Sequence, residues 1–190
     1  SRLADSSDDR VLKPLLTAID EVHHHSEAVM RRTLTLAYTD PATRLPNRLR
    51  FVSKLESLVD KGRGEPIHLA ICDIDNFRKI NVTLGPRLAD AVLAAVAERL
   101  RAAASQVEGG QFFIGRIGAD QFGIISPGAD QSVLKTFVAA AERVVCDSYA
   151  FENQNVRITA SFGAASAPGD ASSATDLLKQ AEIALKEAKR

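Results

Sequence analysis

Two short apolar runs, Phe112–Ile117 and Phe122–Ser126, are separated by only four residues, Gly118-Ala119-Asp120-Gln121. So short a connection closes a hairpin, and the two runs are expected to pair as antiparallel strands. Elsewhere strand-like and helix-like segments alternate. After the break at Leu45-Pro46-Asn47 a helix is expected over 47–60, with Leu49, Val52, Leu55, Leu58 and Val59 on its inner side. Lys61 to Pro66 reads as a loop, and Ile67–Asp73 (IHLAICD) as a buried strand ending in acid. Helices are expected over 87–104, 132–148 and 175–190, with a strand over 157–165 between the last two. A hairpin set among alternating elements requires a mixed or antiparallel sheet. The fold class is therefore α/β (α+β), a mixed, mostly antiparallel central sheet flanked by helices. No internal repeat is visible.

A different period governs the first 38 residues. Residues 1–10 are polar and expected to fray, and from Val11 to Tyr38 the spacing is helical. Leu15, Ile19, Val22, Ser26, Val29, Thr33 and Leu36 alternate steps of four and three, the seam of a coiled coil. Ser26 and Thr33 weaken that seam. The segment is either a pairing helix or a single amphipathic helix packed on its own domain, and Pro14 fits if it lies in the first turn. His23, His24 and His25 project about 100° apart on a helix and do not converge on one metal. The chain thus divides into a linker or signalling helix, 1–38, and a globular domain, 39–190.

Twenty-four basic residues balance twenty-four acidic ones, so no global field draws nucleic acid or an anionic membrane. Cys72 and Cys146 lie in apolar runs without metal-ligand spacing and read as free thiols of a reducing, cytoplasmic compartment. No apolar run reaches the ~20 residues that span a bilayer, and no signal peptide is visible. Because the chain opens on Ser1 and stops at Arg190 within a helical pattern, it is expected to be part of a longer protein. That parent could itself be membrane-anchored.

Asp73-Ile74-Asp75 leaves the strand Ile67–Asp73, and Asp120 sits at the hairpin tip. If those strands are neighbours, the carboxylates meet at one edge of the sheet. Two carboxylates and a backbone carbonyl suit Mg²⁺, a hard ion that takes oxygen ligands. Acidic strand ends and acidic turns are common, so spacing alone does not separate a metal site from ordinary turn chemistry.

The surrounding residues say more. Arg116-Ile-Gly-Ala-Asp-Gln-Phe122 resembles the RxGGDEF signature of diguanylate cyclases, and Asp73-Ile-Asp-Asn-Phe-Arg-Lys-Ile-Asn81 their DxDxFKxxN segment. Asp40-Pro-Ala-Thr-Arg-Leu-Pro-Asn-Arg48 is similar to the DxLTGLPNR opening, Ile158-Thr-Ala-Ser-Phe-Gly163 to the VTxSxG strand, and Ala181 to Lys189 to the ADxALYxAK helix. The five stand in the family's order over residues 40–190. The chain is thereby identified as a GGDEF-family member with GADQF in place of GGDEF. The resemblance implies a nucleotidyl-cyclase-like fold that binds GTP. Asp73, the Ile74 carbonyl and Asp120 would hold Mg²⁺, and Asn81 and Asp90 would read guanine. Backbone N–H groups near Asn76 and Phe77, together with Lys189, would meet phosphate. Outside the family, Asn81 and Asp90 would be read as helix caps or turn formers.

The departures fall on the chemistry. In active cyclases two GTP-loaded domains face each other, and each 3′-hydroxyl attacks the partner nucleotide's α-phosphate. The acid that helps bind metal and activate that hydroxyl is here Gln121, whose amide carries no charge and accepts no proton at neutral pH. Ala119 replaces a glycine, with strain in the hairpin or crowding of the nucleotide as the expected result. Val82, Pro86, Arg44 and Ala89 are further departures, and the product-inhibition motif RxxD would fall on Gly109–Phe112, where it is absent. The resulting expectation is a catalytically impaired, regulatory domain that binds GTP with Mg²⁺. It would act as a homodimer or through an attached sensor or an EAL-type phosphodiesterase domain, with no nucleic acid as partner and no membrane segment in this fragment. A weak diguanylate cyclase and a nucleotide-free dimerisation scaffold are the alternatives.

Overall fold

A computed structural model describes residues 5–61, 65–128, 130–151 and 154–190. The chain divides into two compact units, Ser1–Ala37 and Tyr38–Arg190. Most of the first is α1 (Asp5–Tyr38), a 34-residue helix. It begins before Val11 and runs through Pro14, which is therefore an interior residue and forfeits one backbone hydrogen bond; residues 1–4 lie outside the described part. Ile19, Val22 and Val29 of the expected seam are all exposed, while the side chains of Leu15 and Leu36 are not described. Thr33 turns its hydroxyl back to the Val29 carbonyl at 2.9 Å. His23 faces Glu27 one turn on at 3.3 Å, an ordinary solvated pair. No helix among the described residues is long and apolar enough to cross a membrane.

The second unit is built on a four-stranded sheet ordered β2-β3-β1-β6, from β1 (Ile67–Ile74), β2 (Phe113–Arg116), β3 (Gln121–Pro127) and β6 (Ala160–Ala167). Every pairing in it is antiparallel. Central β1 is buried along its whole length, so it alternates not apolar with polar but one apolar layer with another. Ala70, Cys72 and Ile74 face α4 (Pro86–Ser105) and α5 (Gln131–Val145). Ile67, Leu69 and Ile71 face α2 (Arg48–Lys61) and α6 (Ala174–Ala188). Phe51 of α2, fully buried, lies across the β2–β3 hairpin where Gly115 and Gly123 pair; a Cβ on Gly123 would stand 2.4 Å from its ring. The aromatic ring thereby fixes where the hairpin lies beneath α2.

Three elements differ from the sequence expectation. A short helix, α3 (Phe77–Leu84), precedes α4; its FRKINVTL sequence has several β-branched residues and too few turns for a clear period. The helix expected to reach Ser148 stops at Val145, and β4 (Ser148–Phe151) pairs with β5 (Gln154–Arg157) as a separate hairpin. Arg99 holds that hairpin to α4. Its guanidinium lies 3.6 Å from the centre of the Tyr149 ring and donates to the carbonyls of Val144 and Ser148. The strand expected over 157–165 is therefore two strands with a break before Ala160.

Candidate functional site

The ladder decides which carboxylates meet. Asp73 lies opposite Gln121 on one neighbour and Ser161 on the other. The carbonyl of Asp120 accepts from the Ile74 N–H at 3.1 Å, bringing the hairpin tip to the exit of β1. Asp73, Asp75, Asp120 and Gln121 thus gather at one end of the two inner strands, as expected if those strands were neighbours. Burial, then the charge of Asp73, pushes the Asp120 carboxyl above an ordinary aspartate's range. A nearby cation would relieve that repulsion.

Asp73 is already occupied. One carboxylate oxygen accepts from the Gln121 amide at 2.9 Å. The other accepts from the Lys189 ammonium, which also lies 3.8 Å from Asp75. Asp75 in turn accepts from the Ser161 hydroxyl at 2.9 Å. The three acidic side chains fit a hard divalent ion in type, but Lys189 stands as counter-charge to Asp73 and Asp75, and the Gln121 amide donates to Asp73. Among the described residues no group of three or more His, Cys, Asp and Glu side chains is arranged to hold a metal. Direct coordination through Asp73 would therefore compete with the Gln121 amide and the Lys189 ammonium for the same carboxylate.

The residues expected to meet nucleotide lie on the adjoining helices. Asn76 is left-handed, φ 56°, at the head of α3, and its carbonyl accepts from the Lys79 and Ile80 N–H groups. Phe77 is buried beneath it. Asn81 is inside α3 and Asp90 inside α4, both exposed. Neither is a cap: Asn76 and Gly85 take those positions. The capping alternative is thereby removed, and both side chains remain available to a ligand.

Of the two consequences expected of Ala119, strain in the hairpin is not found. Positive φ among non-glycine described residues occurs at Arg44 and Asn76 alone, so the methyl group imposes no backbone strain on the hairpin. Arg44, which also replaces a family glycine, does adopt φ 57°, a conformation costing about 1–2 kcal/mol in an L-residue. Its turn is held from outside by Arg101, which donates to the Arg44 carbonyl at 3.1 Å.

An unforeseen part of the site is a clamp behind the hairpin. Arg116 donates through Nη1 to both oxygens of Asp40 at 3.1 and 3.0 Å, through Nε to the Gly118 carbonyl at 3.2 Å and through Nη2 to the Ala119 carbonyl at 2.7 Å. Asp40 also accepts from the Thr43 N–H and hydroxyl. One guanidinium thus ties the turn at 40–45 to the tip that carries Asp120 and Gln121. Seventy-six residues separate the pair, and only the motif positions hinted at it. Burial alone would raise the Asp40 pKa, but the bonds from Thr43 and Arg116 outweigh it and hold the carboxyl below an aspartate's usual range. Asp40→Asn is expected to cost about 1.5–3 kcal/mol, as for a hydrogen bond to a charged group, read as a lower urea midpoint. The sign follows from the lowered pKa. The carboxylate's stabilisation is complete above the unfolded value near 4 and is lost as pH falls through the folded one, so the deficit of the variant should shrink on acidification.

Cys72 is buried and Cys146 half-buried, both free. Burial, then the neighbouring thiol and carboxylates, pushes Cys72 well up, so it remains an unreactive thiol.

Comparison with known proteins follows the same lines. The family described as "Diguanylate cyclase, GGDEF domain" matches residues 37–190. The bifunctional diguanylate cyclase/cyclic di-GMP phosphodiesterase MucR of Pseudomonas aeruginosa is 30% identical over 161 residues, 84% of this chain and 23% of that protein. The response regulator PleD of Caulobacter vibrioides is 30% identical over 165 residues, 83% of this chain and 35% of that protein. The chain therefore spans about a quarter to a third of the length of these relatives. Among solved structures, the coiled coil and GGDEF domain of DgcB from Caulobacter crescentus, in complex with c-di-GMP, has a TM-score of 0.79 and 29% identity, covering 97% of this chain and 95% of that one. The chain belongs to the GGDEF domain family.

Proposed function

We propose that this GGDEF domain of cyclic di-GMP signalling is a GTP-binding regulatory domain with impaired cyclase chemistry, modulating an attached or partner domain such as a sensor or an EAL-type phosphodiesterase. In this reading residues 1–38 form the signalling helix and 39–190 the regulatory domain. The observation that carries it is the hydrogen bond from Gln121 to Asp73. A family acid at this position would repel Asp73 and call for a cation between them, whereas the amide satisfies Asp73 by itself. It offers no base for a 3′-hydroxyl, and loss of such a group costs about 10²–10⁴ in rate.

Base recognition, in contrast, has its side chains exposed. Asp90 would accept from guanine N1–H and N2–H, and Asn81 would both donate and accept. The left-handed Asn76 turn at the head of α3 would present N–H groups to phosphate over buried Phe77. The family generally uses Mg²⁺. Asp73, the Ile74 carbonyl and Asp120 would hold it, and when bound it neutralises phosphate charge. Lys189, released from Asp73, would then turn to phosphate oxygens.

Calorimetry with GTP and Mg²⁺ on the 190-residue protein tests this. Saturable binding is expected, weakened about tenfold or more by Asn81→Ala or Asp90→Ala, the equivalent of one hydrogen bond to a charged or paired group. Binding with little cyclic di-GMP produced fits the proposal. Brisk production would make the chain a working cyclase, and no heat at millimolar GTP would make it a scaffold.

A further inference from the structure

The sheet has two outer strands. β2 is four residues long, whereas β6 runs for eight, ASFGAASA, without a charge or a proline. A long uncharged edge is a template for another strand unless something blocks it.

The hydrogen bonds show where β6 is blocked. The Asp75 N–H donates to the Thr159 carbonyl, and the Ile74 N–H turns the other way, to Asp120. Odd-numbered residues of β1 therefore bond toward β6 and even-numbered ones toward β3. Since Ile74 pairs with Ala160 and His68 with Ser166, residues 160, 162, 164 and 166 of β6 point their N–H and C=O groups outward. At one end, Ser166 is closed: its N–H donates to the Asp170 carboxylate and its carbonyl accepts from the Asp170 N–H, both at 2.7 Å. At the other end the Ala160 N–H donates to Cys146 Sγ at 3.2 Å. Between these two plugs, Phe162 and Ala164 have no partner for their outward groups among the described residues. Two donors and two acceptors are left open at adjoining ladder positions.

Beside this window lies a groove of about 240 Å³ between α5 and β6. Ala164, Leu134, Val138 and Ala139 form its apolar part, with Lys135 and Glu142 on its sides. Because α5 begins beside Ser166 and ends at Cys146 beside Ala160, Lys135 lies toward the Ser166 end and Glu142 toward the Ala160 end.

We propose that this window binds a short extended segment of a partner polypeptide, added antiparallel to β6. Two of its residues, opposite Ala164 and Phe162, form backbone pairs, and the one opposite Ala164 places an apolar side chain in the groove. An acid two residues before the first pair meets Lys135, and a base two residues after the second meets Glu142. A second copy's β6 is a poorer occupant: ASFGAASA carries neither an acid for Lys135 nor a base for Glu142.

The test uses the 190-residue protein, ¹⁵N-labelled, and the peptide acetyl-Glu-Thr-Val-Thr-Val-Thr-Lys-amide. Without peptide, the Phe162 and Ala164 amides should exchange with solvent much faster than those of Gly163 and Ala165. With peptide, resonance shifts should centre on residues 162–164 and α5, and exchange at Phe162 and Ala164 should slow at least tenfold. Methylating both valine nitrogens should remove the effect, as should Ala164→Glu, which fills the groove at an exposed position and leaves the backbone ladder intact. Absence of shifts at millimolar peptide would overturn the proposal, as would equal binding by the methylated peptide. Protection at Phe162 and Ala164 that grows with protein concentration alone would also overturn it, since a second copy would then hold the edge.

Discussion

Gln121→Glu is expected to raise cyclic di-GMP production by about 10²–10⁴, the range attributable to a positioned acid–base group, and to make the protein's stability depend on Mg²⁺. The two effects have one cause. In the present chain the Gln121 amide donates to Asp73 at 2.9 Å while Lys189 binds the other oxygen. A carboxylate placed there turns a hydrogen bond into a repulsion at the same range. Without divalent ions the variant should lose about 1.5–3 kcal/mol, the worth of a hydrogen bond to a charged group. The new carboxyl should also titrate above its usual range, as neighbouring Asp120 already does. Adding Mg²⁺ should return that stability by linkage, so melting temperature should rise more steeply with Mg²⁺ in the variant than in the parent. Chromatography of the nucleotide products and thermal melts in EDTA and in Mg²⁺ read both arms. A parent protein that already turns over GTP as fast as the variant, or a variant whose melting ignores Mg²⁺, would show that the amide is not what limits the site.

The gathering of Asp73 and Asp120 was legible only in part: Asp73 stands near the end of a strand and Asp120 at a hairpin tip. Their meeting depended on β1 and β3 being neighbours, and that pairing, across α3, α4 and β2 in the chain, is shown by the ladder alone. What Asp73 does there was not legible. The bonds it accepts come from Gln121, 48 residues away, and Lys189, 116 residues away, and no local pattern reports which donor reaches a shared carboxylate. The Arg116–Asp40 clamp escaped for the same reason. α3 and the β4–β5 hairpin were missed for a local one. Each is short, and each adjoins a long helix, α4 or α5, whose strong period dominates any window that includes both. Ala119 carries a different lesson. A family glycine need not mark a left-handed residue, whereas at Arg44 the positive φ persists without the glycine.

Gly163→Ala is expected to be among the most destabilising single-methyl changes in the domain, because the sheet and α6 meet there backbone to backbone. A Cβ on Gly163 would stand 2.2 Å from the Leu185 nitrogen and 2.4 Å from the Ala181 carbonyl oxygen. Neither can rotate away as a side-chain tip would, so α6 must lift from β6 or the strand must bend. Ala181, Leu185 and Leu177 of α6 are all buried in the layer beneath α2, and lifting the helix opens that layer along its length. Overpacking costs about 1–3 kcal/mol where side chains can yield; here the loss should reach or exceed the top of that range, seen as a lower urea midpoint. Gly169→Ala is the control, since its nearest neighbour would be the Ser166 carbonyl at 3.9 Å, and it should change stability by less than about 0.5 kcal/mol. The functional consequence follows from the same geometry. Lys189 caps the end of α6 and reaches Asp73 only because the helix lies so close to the sheet. A helix displaced at Gly163 withdraws that ammonium and leaves Asp73 and Asp75 without their counter-charge. Where the variant remains folded, GTP affinity should fall along with stability, whereas Gly169→Ala should leave both unchanged. An unaltered midpoint for Gly163→Ala would mean that α6 does not rest on β6 through this glycine.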